Sequence, residues 1–257
     1  MGVVGVVGVV ARRRGQTVGV ELGEAVRRRH MVRSFSGRPV PHEVVDRLVR
    51  ATLAAPSAGN TRGTAWIVLE GAAQTSRYWM AATTAPWRAG ARRWPGLSRA
   101  AVVAVSLASP AAYLSRYAEP DKARGGADLG LSESEDAWAV PYWFADAAFG
   151  VMTLLLGATA EGLGACFLGN FRAEAEVLSA LGVPNGWRLF GAVALGEPAG
   201  DDPSSSSLDR AGPAEEDRVH YGRWGSVSGS AAEGSAAEGS AAEGSAAERS
   251  APPTGRQ

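Results

Sequence analysis

Cysteine is almost absent from this chain, because Cys166 is its single example. An intramolecular disulfide is therefore excluded, and the composition fits a reducing compartment, which predicts a cytoplasmic protein. Histidine is scarce too, with three residues far apart in the sequence, so no histidine and cysteine cluster has the spacing of a metal site. The sequence also offers no Ser/His/Asp set and no pair of close carboxylates for acid and base catalysis.

An excess of charge of either sign is missing as well. Acidic and basic residues number 26 each, so no overall field attracts nucleic acid or an anionic membrane. Lysine occurs only as Lys122, and all the other basic residues are arginine. Because arginine takes nearly every basic position in this chain, a high arginine count is by itself weak evidence of function.

Glycine-rich phosphate loops are missing. No G-x-G-x-x-G follows a predicted strand, and no Walker loop occurs. A nucleotide held by this chain must therefore meet side chains at its phosphate. A single run, residues 142–160, is apolar and long enough to suggest a membrane span, but Asp146, Gly150, Gly157 and interleaved alanines favour a buried helix in a soluble domain.

Both ends of the chain are biased in composition. Residues 1–19 carry a GVV repeat followed by arginines, the reverse of the charge order in a signal peptide, and we interpret them as a low-complexity extension. Residues 225–257 contain four successive GSAAE units and predict a disordered tail. Residues 20–224 remain for one compact domain.

Hydrophobic periodicity predicts both helices and strands in this domain. Helices are predicted over residues 18–29, 41–53, 74–84, 142–160 and 173–181. Strands are predicted over residues 64–69, 101–107 and 189–195, with another strand within 162–169. Residues 110–141 are a long polar stretch, interpreted either as a lid or partner contact or as an insertion without function. The order of these elements does not suggest a doubly wound fold.

The stretch RRRHMVRSF, residues 27–35, places four arginines within seven residues. Guanidinium forks suit a dianionic phosphate, because each fork can donate two parallel hydrogen bonds. The alternative is a solvated basic face at a helix end, where positive charge complements the helix dipole.

This stretch and the later PVPHEVVDRLVRATLAAPSAGN together resemble the nitroreductase family of flavin mononucleotide (FMN) enzymes. The resemblance covers residues 20–224. It implies an α+β sandwich, with helices packed on a mostly antiparallel sheet and a long buried central helix. It also implies a homodimer with two flavin sites at its interface. Without the resemblance, AAPSAGN would be interpreted simply as a turn.

Carried over residue by residue, the resemblance implies FMN contacts at Arg29, His30, Met31, Arg33, Pro56, Ser57, Ala58, Asn60, Leu168, Gly169, Asn170 and Arg210. Arg29, His30 and Arg210 match phosphate contacts, and Arg33 matches the basic residue at the pyrimidine edge. Met31 stands where a hydroxyl or small polar residue is common, so one hydrogen bond is expected to be missing.

The other matched positions concern the ring system of the flavin. Residues 56–60 match a loop that reaches the flavin from the other subunit. Gly169 and Asn170 match positions whose backbone amides approach N5 and O4, where glycine permits close approach. Arg62 replaces a glutamine that is common on the substrate side. Cys166 lies in an apolar strand and is predicted to be an inert core residue.

The resemblance implies an FMN-dependent oxidoreductase that takes hydride from NADH or NADPH and passes electrons to a nitroaromatic, quinone or similar small acceptor. The flavin carries this chemistry, so no catalytic side chain is predicted. Two alternatives remain open: another flavin reaction on the same fold, such as dehydrogenation, dehalogenation or flavin cleavage, or a flavin-binding module that is not an enzyme.

Overall fold

The computed structural model describes residues 20–89, 94–123, 130–169, 173–202 and 211–226. The chain divides into two compact units, Met1–Pro203 and Ser204–Gln257, which are treated separately below. The predicted N-terminal extension and nearly all of the predicted tail lie outside the described residues. The domain boundaries given above therefore stay predictions.

The first unit contains a four-stranded sheet. Its strands are β1 (Thr64–Glu70), β2 (Val102–Ala108), β3 (Gly164–Gly169) and β4 (Arg188–Gly196). Their order across the sheet is β1-β2-β4-β3, and each of these pairings is antiparallel. All four strands were predicted, with ends that differ by one or two residues. The prediction of a mostly antiparallel sheet is confirmed.

Eight α-helices accompany the sheet in the described residues. They are α1 (Leu22–Arg28), α2 (His42–Thr52), α3 (Gly71–Ala82), α4 (Ala85–Arg88), α5 (Pro110–Tyr117), α6 (Pro120–Ala123), α7 (Tyr142–Ala160) and α8 (Glu174–Ala180). Short 3-10 turns occur at Ala58–Asn60, Leu97–Arg99 and Glu135–Ala137. α7 has the bounds predicted from its apolar run.

The two faces of the sheet bury separate sets of side chains. Along β2, Val103 and Val105 pack in a cluster with residues of α3 and α8, whereas Val102 and Ala104 pack with residues of α2 and α7. This alternation follows from the two-residue repeat of a strand. β2 is buried on both faces, which explains why it is apolar at every position except Ser106. The result is the predicted α+β sandwich.

α7 is the central helix of this sandwich. By length and composition it is the one described helix that could cross a membrane. Its residues Val151, Leu154 and Ala158 are buried in the cluster that it shares with the sheet. Such burial is typical of the core helix of a soluble domain, as predicted. A different side of the same helix exposes Phe149 and Met152.

The long polar stretch at residues 110–141 begins with a helix that was not predicted. α5 starts with Pro110 at its first turn and buries Tyr113 completely. The ring of Tyr113 packs edge-on against Trp138 and Trp143, with centroid distances of 6.0 and 6.2 Å. Tyr113, Tyr117 and Trp138 of this stretch therefore belong to a packed aromatic cluster. Residues 124–129 lie outside the described residues.

The second unit is described over residues 211–226. It contains a 3-10 turn at Glu215–Asp217 and no α-helix or strand within that range. The ring centroids of His220 and Trp224 lie 4.1 Å apart. Both residues belong to the segment that we interpret from the sequence as the end of the domain.

Candidate functional site

The arginine-rich stretch is held in place by backbone contacts on both of its sides. After α1 ends at Arg28, the Val32 N–H donates to the Ala165 carbonyl of β3 at 3.0 Å. Met31 forms an isolated bridge with Ala165, and Phe35 forms another with Pro198, just beyond β4. The stretch is therefore anchored along the edge of the sheet.

Side-chain burial reinforces this anchoring. Val32 and Phe35 are buried, whereas Arg29 and Arg33 are half-buried and His30 is exposed. Gly164 makes the close approach possible, since a Cβ there would lie 2.8 Å from Val32 Cγ1. The apolar residues thus fix the backbone from which the basic side chains extend.

The Arg33 side chain is fixed in direction. Its Nη1 donates to the Met31 carbonyl at 3.1 Å, and its guanidinium carbon lies 5.0 Å from the centroid of the Trp94 ring. The Arg33 backbone N–H donates to Asp202 Oδ2 at 3.0 Å. Arg33 therefore supplies a positive charge at a defined position.

Most of the basic group lacks carboxylate partners. Arg27 forms an ion pair with Glu24 at 2.6 Å, but Arg28, Arg29 and Arg33 form no ion pair with any described residue. A group of uncompensated guanidiniums suits a dianion, because each can donate to it without first losing a carboxylate. Arg29, with Arg28 beside it, therefore fits the phosphate of FMN, and Arg33 offers a separate positive charge for the pyrimidine edge.

His30 has a defined tautomer in this arrangement. Its Nδ1 lies 3.0 Å from the Arg28 carbonyl oxygen, and a carbonyl oxygen can only accept, so Nδ1 carries the proton. Nε2 of a neutral ring is then an acceptor. His30 can donate to a phosphate oxygen from Nε2 only as the imidazolium ion.

Two concave surfaces flank the basic group. The larger, about 440 Å³, is lined by Arg33, Ser34, Arg99, Asp201 and residues around Trp94. In it, the Ser34 hydroxyl donates to Asp201 Oδ1 at 2.7 Å. The smaller, about 140 Å³, lies beside Arg28 and His30. Space for a ligand therefore exists next to the predicted phosphate and pyrimidine contacts.

Met31 packs toward β3. Its Sδ accepts from the Phe167 N–H at 3.4 Å, and its side chain packs against both core clusters. The thioether thus supports the edge of the sheet and provides no hydroxyl for a ligand.

The anchored stretch contacts β3 at Ala165 and Phe167, and β3 ends at Gly169. Leu168 is half-buried and Gly169 is exposed, in register with Ala192 and Gly191 of β4. Asn170 and Arg210, the two other predicted contacts in this half of the chain, lie outside the described residues. The structure therefore places Arg29, His30, Met31 and Arg33 in one segment beside β3, and the FMN contacts predicted for Leu168 and Gly169 stay predictions.

Cys166 lies inside β3 and is buried. Burial raises the pKa of its thiol to about 11, so the thiol stays protonated near neutral pH. The buried position of Cys166 agrees with the prediction that it is a core residue.

The predicted flavin loop lies elsewhere in the chain. Its Ala58 N–H donates to Asp146 Oδ2 of α7 at 2.9 Å, and the Gly59 carbonyl accepts from Arg116 Nε of α5 at 2.9 Å. Pro56 and Asn60 are exposed, whereas Ser57 is half-buried. No hydrogen bond or ion pair links this loop with Arg29, His30 or Arg33 among the described residues.

Sequence reasoning did not assign a role to Asp146, Tyr113 or Arg116. The available signal in the sequence was that Asp146 is the only charged residue within the apolar run of α7. Its partners are distant in sequence, and the periodicity of a helix does not reveal them.

Comparison with known families agrees with this geometry. A family model described as the nitroreductase family matches residues 26–197, which is more than half of the chain. The chain belongs to the nitroreductase family. The predicted class of protein, an oxidoreductase enzyme of the nitroreductase type, is therefore confirmed. The basic stretch, the loop at residues 56–60 and β3 all lie within the matched range.

A curated relative supports this placement. It is a protein of Archaeoglobus fulgidus, provisionally named NADH dehydrogenase/NAD(P)H nitroreductase, and is 26% identical over 201 residues. The match covers 76% of this chain and 94% of the relative.

Solved structures share the fold of this nitroreductase-family chain. A Bacillus subtilis protein, described as the hypothetical oxidoreductase YcnD, matches with a TM-score of 0.60 and 19% identity over 80% of this chain and 75% of its own. A Clostridium difficile R20291 protein, described as an FMN-dependent nitroreductase, matches with a TM-score of 0.54 and 18% identity over 78% of this chain and 98% of its own.

Proposed function

We propose that this nitroreductase-family protein is an FMN-dependent oxidoreductase that passes electrons from NADH or NADPH to a nitroaromatic, quinone or similar small acceptor. The observation that carries the proposal is the anchored basic stretch, whose Arg29 and Arg33 have no ion-pair partner among the described residues. The names of the Archaeoglobus fulgidus relative and the Clostridium difficile protein support NAD(P)H and FMN respectively.

Arg29 and His30 would hold the phosphate of the cofactor. Their backbone follows directly from α1 and is fixed by the Val32 contact with β3. FMN, when bound, supplies the group that accepts hydride and returns electrons. A phosphate anchor sets the position of the rest of the cofactor, because the guanidinium fork is planar and directional.

Arg33 would stand at the pyrimidine edge. Its hydrogen bond to the Met31 carbonyl and its position over Trp94 fix the charge before any ligand arrives. A preorganised positive charge stabilises negative charge that develops nearby, because it needs no reorientation during the reaction. Arg33 is thus proposed to favour the reduced cofactor electrostatically.

The end of β3 would contribute backbone groups. Gly169 is exposed at the strand end, where an amide can approach a flat ring closely. The proposal assigns no side chain to proton transfer, and Asn170 and Arg210 keep their predicted contacts with the cofactor as proposals.

We further propose a homodimer. α7 exposes Tyr142, Phe149 and Met152, which lie along one side of the helix, and α1, which packs beside α7, exposes Leu22 and Val26. An apolar surface of this kind is typical of subunit interfaces. A second copy covering it would allow the loop at residues 56–60 to approach the basic stretch of its partner. Family membership fits a soluble protein, and a cytoplasmic location remains a proposal.

Steady-state turnover tests the function. NADH or NADPH oxidation by the full-length protein should require added FMN and a nitroaromatic or quinone acceptor. Arg29→Gln should weaken FMN binding about tenfold, in line with loss of a charge-assisted hydrogen bond. Arg27→Gln is the matched control, since the Arg27 guanidinium already binds Glu24. FMN binding without NAD(P)H oxidation would instead favour another flavin reaction on this fold.

A further inference from the structure

The loop at residues 56–60 and the residues after it have an unusual backbone. Gly59, Asn60 and Arg62 have φ angles of 62°, 55° and 55°. Asn60 and Arg62 are the two residues other than glycine with positive φ in the described part of the chain. Such conformations persist only where surrounding contacts hold them, and they are frequent at ligand-binding segments.

A buried carboxylate supplies one of these contacts. Asp146 Oδ2 accepts from the Ala58 N–H at 2.9 Å and from the Tyr113 hydroxyl at 2.6 Å. Asp146 is only 4% exposed and is the single charged residue of α7. Its two donors belong to the loop and to α5, and neither belongs to α7 itself.

A guanidinium supplies the second contact. Arg116 Nε donates to the Gly59 carbonyl at 2.9 Å. Its terminal nitrogens pair with Glu119 at 3.0 Å and Asp121 at 2.6 Å, and these ion pairs hold the guanidinium with Nε facing the loop. The fit is close, since a Cβ on Gly59 would lie 2.9 Å from the Tyr117 ring.

The carboxylate is not explained by the stability of the helix that carries it. A buried charge costs free energy unless it is fully hydrogen-bonded, and an apolar residue at this position would suit the rest of α7. What Asp146 provides is a fixed acceptor for the Ala58 N–H. Burial and the hydrogen bond to Asp146 raise the pKa of the Tyr113 hydroxyl far above its ordinary range, so it remains a donor.

We propose that Asp146, Tyr113 and Arg116 are positioning residues that hold residues 57–60 in the conformation that receives the flavin ring. The inference rests on the proposed function, because this loop is a predicted FMN contact. The three residues act through the loop backbone and do not themselves touch the cofactor.

FMN binding tests the inference. The full-length protein and its Tyr113→Phe, Asp146→Asn and Arg116→Gln variants are titrated with FMN by quenching of flavin fluorescence. Each variant should bind about tenfold more weakly, the loss typical of a hydrogen bond to a charged group. At saturating FMN, the visible circular dichroism of the bound flavin should also change, since the loop then packs differently against the ring.

Two controls separate positioning from general stability. Arg50→Gln removes a surface ion pair with Asp46 on α2 and should leave FMN affinity within about twofold of the wild type. Arg116→Lys, which keeps a positive donor, should recover part of the affinity lost in Arg116→Gln. If Asp146→Asn does not fold, Tyr113→Phe and Arg116→Gln decide the question.

The outcomes are distinguishable. A wild-type protein that binds no FMN overturns the proposed function and this inference with it. A wild-type protein that binds FMN, with Tyr113→Phe and Arg116→Gln matching its affinity and its visible circular dichroism, overturns the inference alone. Weaker binding and an altered spectrum in both variants, with Arg50→Gln unchanged, support it.

Discussion

The Tyr113 hydroxyl donates to a carboxylate oxygen of Asp146 at 2.6 Å, and both side chains are buried. The bond joins α5 to the central helix α7 across 33 residues of sequence. Since the same oxygen accepts from Ala58, three separate segments of the chain converge on one atom.

This convergence makes a prediction for stability. Tyr113→Phe keeps the ring packing and removes one donor to the buried carboxylate, so we expect a loss of about 1.5–3 kcal/mol in the free energy of unfolding. Urea denaturation of the apoprotein measures it. Tyr117→Phe on the same helix is the control, with an expected change below about 0.5 kcal/mol. Equal effects from the two variants would show that the hydrogen bond to Asp146 has no special role.

A second prediction concerns alkaline pH. Burial raises the pKa of Tyr78 from 10.0 in the unfolded chain to about 12 in the folded protein. As the pH rises above 10, the unfolded chain loses the hydroxyl proton of Tyr78 before the folded protein does. The contribution of Tyr78 to the free energy of unfolding is therefore complete below pH 10 and falls as the pH approaches 12. The expected loss from this residue is about 3 kcal/mol.

Unfolding free energies between pH 9 and 12 test this slope. Tyr78→Phe should show a shallower fall than the wild type, because phenylalanine has no proton to lose. Tyr221→Phe, at an exposed position in the second unit, should keep the wild-type slope. An unchanged slope in Tyr78→Phe would argue against the burial effect.

A third prediction concerns the close approach of the basic stretch to β3. In Gly164→Ala the new methyl group would lie 2.8 Å from Val32 Cγ1, so the stretch must move away from the strand. We expect a loss of about 1–3 kcal/mol in stability and several-fold weaker FMN binding. Thermal melts and fluorescence titration give the two quantities.

The matched control is Gly23→Ala in α1. A Cβ at Gly23 meets only Arg27 Nη1 at an ordinary 3.5 Å, and alanine favours a helix by about 0.5–1 kcal/mol. This variant should be slightly more stable than the wild type and should bind FMN normally. If Gly164→Ala behaves in the same way, the stretch does not depend on that contact.

A fourth prediction concerns the proposed dimer. Met152 is 42% exposed on α7, and Met80 is 60% exposed on α3, which covers the other face of the sheet. Met152→Glu should convert a dimer to monomers and lower FMN affinity, because it places a charge in the proposed interface. Met80→Glu should do neither. Light scattering coupled to gel filtration measures the molar mass of each variant. A monomeric wild type would contradict the proposed dimer.

Some elements were predictable because one local pattern determines them. α7 was found with its predicted bounds since the run from Tyr142 to Ala160 is mostly apolar and Asp146 is its only charged residue. β2 was predicted within one residue because both of its faces are buried and its sequence is apolar apart from Ser106. The strand order was not predictable, because β4 lies between β2 and β3 through pairings that are remote in sequence.

α5 was missed although its signal was present. Pro110 at the first turn and apolar residues at 113, 114 and 117 have helical spacing, but the polar residues that follow dominated the interpretation of residues 110–141. The basic stretch was recognised because its motif is contiguous. The role of Asp146 was not recognised, because its hydrogen-bond partners Tyr113 and Ala58 lie 33 and 88 residues away in the sequence.

We infer that this chain holds FMN and reduces it with a nicotinamide nucleotide. The most direct measurement is an absorbance spectrum of the full-length protein with FMN, recorded without oxygen before and after addition of NADH or NADPH. We predict a bound flavin band, shifted from that of free FMN, that bleaches with at least one of the two nucleotides. A protein that leaves the FMN spectrum unchanged, or a bound flavin band that neither nucleotide bleaches, would contradict this account.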